Sequence, residues 1–150
     1  MLCSVLVELG THGPLALSMG WDGEGELTLA RDLSGSLPPR SLLLADRLYG
    51  SPWLLWELRP ALAAGESHFL VRVKENLGAK RVQRLPDGSW LAEIMVRDPH
   101  TRAPVGTLKV REVRAQITVE VESAPQLIRL WTSLLVSCRM PRAGLLFSGF

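Results

Sequence analysis

Apolar positions along this 150-residue chain change from mixed strand and helix spacing in the first half to strand-like alternation in the second. Short apolar or β-branched runs bounded by Gly and Pro predict strands, and apolar residues three or four positions apart predict helices. The predicted strands are 4–9, 14–19, 42–45, 68–73, 81–85, 90–97, 108–121 and 127–136, and the predicted helices are 24–33 and 52–64. This order predicts an α/β first half followed by antiparallel β structure.

The apolar run Leu42–Ala45 predicts a short buried strand that ends at Asp46. Ser51 and Pro52 are suited to the start of a helix, and a strand over 68–73 follows that helix. Strand, helix and strand in this order predict two parallel strands joined by a right-handed crossover. Sites in open α/β sheets lie just outside the carboxyl ends of strands, so Asp46 is a candidate to hold a metal ion or a proton. The alternative interpretation is that Asp46 caps the helix at Pro52.

Two positions interrupt otherwise regular patterns. Pro60 lies inside the second predicted helix, where its missing N–H predicts a kink or a shorter helix. The alternation of apolar residues in the long strand over 108–121 changes phase, which predicts a β-bulge near Glu112.

Charge is distributed unevenly although the net charge is only +2. Residues 1–71 carry four basic and eight acidic residues (−4), whereas residues 72–116 carry ten basic and five acidic residues (+5). A basic segment after an acidic one favours a partner that carries phosphates. A solvated β surface with no such partner is the alternative interpretation.

The composition also limits the class of protein. No apolar run approaches the length of about 20 residues that a membrane-spanning helix needs. The two cysteines, Cys3 and Cys138, lie near opposite ends of the chain and outside any metal or nucleophile motif. We therefore expect a cytoplasmic protein with reduced thiols and no membrane partner.

The segments 42–50 (LLLADRLYG) and 69–76 (FLVRVKEN) together resemble the middle of a bacterial transposase of the DDE type, insertion-sequence-four class. The resemblance covers residues 5 to about 135 and implies a partial ribonuclease-H-like fold, a mixed sheet with crossover helices, followed by an antiparallel β-rich insertion. It divides the chain into a partial catalytic core over 1–78, the insertion over 79–136, and an irregular tail over 137–150 that resembles a frameshifted continuation.

The resemblance also implies a site. Asp46 corresponds to the second catalytic Asp of the family and would bind Mg²⁺ as part of a two-metal centre for DNA strand cleavage and transfer. Arg72 and Lys74 would face DNA phosphates, and Arg47 would orient the carboxylate or contact the DNA backbone. The implied partners are DNA at transposon ends and an intact transposase. Arg72 and Lys74 as ordinary exposed strand positions is the alternative interpretation.

Two of the family's catalytic carboxylates have no counterpart in the sequence. The first Asp belongs to a strand before 4–9, and no Glu follows Glu122 to serve as the last carboxylate. We therefore expect the chain to be inactive by itself, to bind Mg²⁺ weakly or not at all, and to have an exposed apolar strand edge. The alternatives are a non-catalytic DNA-binding module and a protein-interaction remnant that uses this edge.

Overall fold

The computed structural model describes residues 1–21, 23–117 and 126–136 and shows a mixed α/β fold. Its elements are β1 (Leu2–Val7), β2 (Pro14–Gly20), α1 (Glu26–Asp32), a 3-10 turn (Leu33–Ser36), β3 (Leu42–Ala45), α2 (Pro52–Ala64), β4 (His68–Val73), β5 (Lys80–Arg84), β6 (Trp90–Arg97), β7 (Pro104–Ile117) and β8 (Gln126–Thr132). The predicted tail over 137–150 and the predicted end of the long strand over 118–121 lie outside the described residues.

The strands form two sheets. Strands β1 and β2 make an antiparallel hairpin, and the other six strands make one sheet in the order β3-β4-β8-β7-β6-β5. The β3–β4 pair is parallel, as predicted, and every other pair in the six-stranded sheet is antiparallel. The predicted mixed sheet is therefore confirmed. The predicted boundary between residues 78 and 79 falls between β4 and β5, and β8 joins the two parts by pairing with both β4 and β7.

Strand β3 is less buried than the sequence predicts. Its bounds are those predicted, but Leu42 and Leu44 each remain 48% exposed. Leu43 and Ala45 instead pack against the core. The prediction of a buried strand is wrong because it assumed cover on both faces, whereas β3 is the edge strand of its sheet in the described part of the chain.

The core lies between α2 and one face of the six-stranded sheet. Four leucines of α2 are buried against alternate residues of the central strands: Leu54, Leu55, Leu58, Leu62, Phe69, Val71, Val73, Ile94, Val96, Leu108, Val110 and Trp131. The helix has Ser51 as its N-cap and ends at Gly65, and it continues through Pro60 to Ala64 rather than ending early. Pro60 is exposed, so its ring occupies the solvent side of the helix. Neither described helix is long and apolar enough to span a membrane.

The predicted bulge near Glu112 is absent. The pairing of β6 with β7 runs without a shift from Trp90 and Glu112 to Val96 and Gly106, and the irregularity lies next to Pro104 instead. Glu112 continues the buried face of β7 and is 1% exposed. The apparent change of phase in the sequence is therefore a buried charged residue, and β7 is regular on both sides of Glu112.

Candidate functional site

Asp46 follows β3 and is exposed at the carboxyl end of that strand. The backbone turns at this point, and the N–H of Tyr49 donates to the carbonyl of Asp46 over 2.9 Å. The N-cap of α2 is Ser51, and the Asp46 carboxylate has no hydrogen-bond partner among the described residues. The helix-cap interpretation of Asp46 is therefore wrong, and its carboxylate oxygens are available to an external group.

Gly50 holds the turn after Asp46 close to the end of β4. A Cβ atom at this position would lie 2.5 Å from the carbonyl oxygen of Arg72 and 2.9 Å from a methyl carbon of Val73. A larger residue would therefore push the turn away from β4. Residue pairing between β3 and β4 ends with Ala45 and Val71; the residues that follow are Asp46, just beyond β3, and Arg72, still within β4. The fold thus brings these two predicted site residues to the carboxyl end of the β3–β4 pair.

The three predicted DNA-contacting cations lie around the carboxyl end of the β3–β4 pair and form no ion pair with a described carboxylate. Arg47 and Lys74 are exposed, and Arg72 is half-buried on the sheet face opposite α2, across from Leu130. None of the three side chains has a hydrogen bond or ion pair within the described ranges. Their charges are therefore not neutralised inside the fold and can act on an external anion.

The described residues do not fit a two-metal centre. They contain no group of three or more His, Cys, Asp or Glu residues arranged to hold a metal ion. Glu8, a carboxylate on a neighbouring segment, accepts hydrogen bonds from the N–H groups of Gly10 and Thr11 (2.7 and 2.6 Å) and from the Thr11 hydroxyl (2.5 Å). These bonds, the Thr11 hydroxyl first, lower the pKa of Glu8. Glu8 therefore supports the β1–β2 turn, and Asp46 is without a second carboxylate in the described site.

A second charged centre, which the sequence interpretation missed, surrounds Glu112. Its carboxylate accepts hydrogen bonds from Arg129 (2.6 Å), Arg81 (2.7 Å), Trp131 Nε1 (3.2 Å) and Arg114 (3.2 Å). Burial alone would raise the pKa of Glu112, but the hydrogen bonds from Arg129, Arg81 and Trp131, in that order, outweigh it and lower the pKa to about 2. Glu112 is therefore ionised at every physiological pH. A charge inside an otherwise apolar alternation was the signal that could have revealed it.

The buried Glu112 centre is connected to the turn that carries Lys74. Arg129 pairs across from Val73, and its Nη1 donates to the carbonyl oxygens of Lys74 (3.3 Å), Glu75 (2.8 Å) and Leu77 (2.9 Å). One guanidinium therefore binds the buried carboxylate and the backbone that follows β4. Arg129 is therefore a positioning residue, because its hydrogen bonds fix the backbone of this turn. The Lys74 side chain takes no part in these bonds and is exposed.

Three guanidinium groups around one carboxylate leave an excess of positive charge. Arg81 and Arg114 are partly exposed, with 34% and 44% of their side-chain surfaces accessible, whereas Arg129 is buried. All three line an open cleft next to the turn over 75–79. This cleft and the unpaired cations around Asp46 give the end of the sheet an overall positive character.

No protein-family model matches this chain, and no curated protein or solved structure is significantly similar to it. The resemblance to transposases therefore depends on the two motifs that contain Asp46 and Arg72.

Proposed function

We propose that this chain is a transposase catalytic-domain segment of ribonuclease-H-like type that binds DNA phosphates and does not cleave DNA by itself. The observation that carries this proposal is that Asp46 and Arg72 each follow the last paired residues of the parallel strands β3 and β4, Ala45 and Val71. Both side chains lack partners among the described residues, so both are available to nucleic acid or to a metal ion held with it.

The charges at the carboxyl end of the β3–β4 pair favour phosphate binding. Arg47, Arg72 and Lys74 supply three cations that form no ion pair among the described residues, and an arginine can donate two parallel hydrogen bonds to one phosphate. Neutralising backbone phosphates releases counterions, so binding of this kind weakens steeply as salt increases. Cleavage in the transposase family that the sequence resembles requires metal ions held by several carboxylates, and the described residues contain no such group around Asp46. The proposal therefore assigns binding to this chain and no hydrolytic step.

The test is the salt dependence of binding to a short DNA duplex. We expect the R72Q/K74Q double variant to lower the slope of log K against log salt by about 2, because each cation that contacts a phosphate contributes about one unit. The matched control is R102Q/K109Q, which removes the same charge from exposed positions on the β6–β7 hairpin and its loop. An unchanged slope in R72Q/K74Q, or an equal loss in the control, would contradict the proposed site.

Cleavage is tested separately on supercoiled plasmid with Mg²⁺. We expect no nicking by the purified chain, and the D46A variant to behave in the same way. Nicking by the chain that disappears in D46A would show a working catalytic centre at Asp46 and would overturn the non-cleaving part of the proposal.

A second candidate function is a DNA-binding module that uses the cleft beside Glu112. The observation in its favour is the surplus of guanidinium groups there, with Arg114 44% exposed in its side chain. R114Q distinguishes the two candidates in the same salt titration. A larger loss of slope in R114Q than in R72Q/K74Q would assign the DNA contact to the cleft.

A further inference from the structure

A cavity of about 520 Å³ separates the β1–β2 hairpin from the six-stranded sheet. Its walls include the consecutive residues 4–9 from β1 and its turn and the consecutive residues 41–46 from β3 and its ends. Successive side chains of a strand point to opposite faces, so a cavity against a face would touch every second residue. Contact with consecutive residues shows that this cavity meets the edges of both strands.

Both of these strand edges are unpaired. Strand β1 pairs with β2 on one side, strand β3 pairs with β4 on one side, and neither has a second partner strand in the described ranges. The N–H and C=O groups that point away from the existing partner therefore border the cavity from two sides. Unpaired strand edges are templates for the addition of another strand.

The side chains around this cavity suit an apolar strand. Its base is formed by leucines of α2 and the 3-10 turn, including Leu33, Leu54 and Leu58. Leu42 and Leu44 flank it and remain half-exposed, as do Val5 and Val7 of β1 with 47% and 42% of their surfaces accessible. These four residues are large apolar side chains that an added strand would cover.

The charges at the cavity restrict the occupant further. Glu8 and Asp46 are its acidic lining residues, and no lysine or arginine lines it among the described residues. An acidic segment would meet repulsion here, whereas a neutral segment or one flanked by basic residues would not. The edge strand of a second folded copy is also unsuitable. One of its two edges is already paired within its own sheet, so it could bond to only one side of the cavity.

We propose that this cavity binds an extended, apolar, basic-flanked segment of another polypeptide as an added β-strand that pairs with both β1 and β3. Main-chain hydrogen bonds to the two edges would supply affinity, and alternate side chains would fill the apolar base. The added strand would join the hairpin and the six-stranded sheet into one continuous sheet. This binding function is separate from DNA binding and does not depend on it.

The test uses a fluorescent ten-residue peptide of alternating Val and Thr with Lys at each end, titrated into the full chain and followed by anisotropy. Two control peptides have the same sequence with N-methylated amides at the odd or at the even positions, which removes the donors along one edge at a time. We expect each methylated peptide to bind at least tenfold more weakly than the parent. Amide exchange should slow in both 5–7 and 43–45 when the parent peptide binds.

Three results would overturn the proposal: no binding of the parent peptide, binding that ignores either methylation pattern, or slowed exchange in one of the two strands only. A dimer that protects both strands without any peptide would also overturn it, because the occupant would then be a second copy.

A pair of protein variants tests the location without disturbing the core. L44K places a charge on an exposed side chain that lines the cavity, and L17K places the same charge on β2, where Leu17 is 57% exposed and lies outside the lining. We expect L44K to weaken the parent peptide at least fivefold and L17K to leave it unchanged. Equal weakening in both variants would contradict this location.

Discussion

Two carboxylates, one on an interior strand of the six-stranded sheet and one just after its edge strand, differ in the hydrogen bonds that their surroundings supply. Glu112 lies on the interior strand β7, is 1% exposed, and accepts hydrogen bonds from four different side chains. Asp46 follows the edge strand β3, is exposed, and has no partner among the described residues. The first carboxylate is bonded on all sides within the fold, and the second is exposed to solvent with no bond to another described residue.

The difference arises from strand position. An interior strand has neighbours on both sides, and β6 and β8 flank β7 at Glu112 through Trp90 and Trp131. Arginines on neighbouring strands and turns can then converge on one carboxylate. An edge strand has a neighbour on one side only, so fewer donors reach its end. In this sheet the interior carboxylate therefore has its hydrogen bonds supplied by neighbouring strands, and Asp46 has none from the described residues.

The largest expected effect is on folding stability when the interior carboxylate is neutralised. We expect E112Q to lower the free energy of unfolding by about 3–5 kcal/mol, because it leaves buried Arg129 without its counterion. The matched variant D46N should change stability by less than about 0.5 kcal/mol, because Asp46 has no described partner to lose. Urea unfolding followed by circular dichroism measures both. Similar losses in the two variants would mean that the comparison of the two carboxylates is wrong.

Acid is expected to lower the free energy of unfolding by about 3 kcal/mol through protonation of Glu112. The pKa of Glu112 is about 2 in the fold, below its ordinary value of 4.5, so its contribution is present above pH 4.5 and is lost as pH falls toward 2. A difference of about 2.5 pKa units corresponds to about 3 kcal/mol. Unfolding free energies measured between pH 6 and pH 2 should fall by this amount more in the parent chain than in E112Q. Parallel curves for the two proteins would contradict the assignment.

A smaller loss of unfolding free energy, about 1–3 kcal/mol, is expected when the turn after Asp46 is crowded against β4. G50A would bring a methyl group against the carbonyl oxygen of Arg72, a backbone atom that cannot move aside cheaply. The matched variant G35A adds a methyl group where no atom lies within 4 Å, so we expect a change below about 0.5 kcal/mol. Thermal unfolding of the two variants compares them directly. A neutral G50A would show that the turn after Asp46 is not held against β4.

The bounds of strands in this fold are predictable where turn-forming or charged residues flank each apolar run. Strands β3, β4 and β6 have the predicted bounds, because Gly and Pro or a charged turn delimit each run. The order of strands in the sheet was not predictable, since the pairing of Leu70 with Thr132 joins residues that no local pattern relates. Burial of β3 was overestimated for the same reason, because the exposure of Leu42 and Leu44 depends on which elements cover the sheet edge.

The candidate site was predictable in part. The carboxyl-end rule led to Asp46, and the parallel pairing of β3 and β4 brings Arg72 beside it. The Glu112 centre was not predictable, because its donors come from β5, β7 and β8 and meet only in the folded sheet. A charged residue in an apolar alternation can mean either a bulge or a buried ion pair, and only its neighbours in space distinguish the two.

The position of β8 has a consequence for the time course of folding during synthesis. Strand β4 is translated by residue 73, but its second neighbour begins at residue 126. At about 5–20 residues per second, a ribosome needs roughly 3–10 s to make the intervening chain. During that interval β4 has only β3 beside it, and its other edge is open to wrong pairing or to chaperones. The last described strand therefore closes the sheet, and chains released before it is made would lack the pairing that joins the two parts of the molecule.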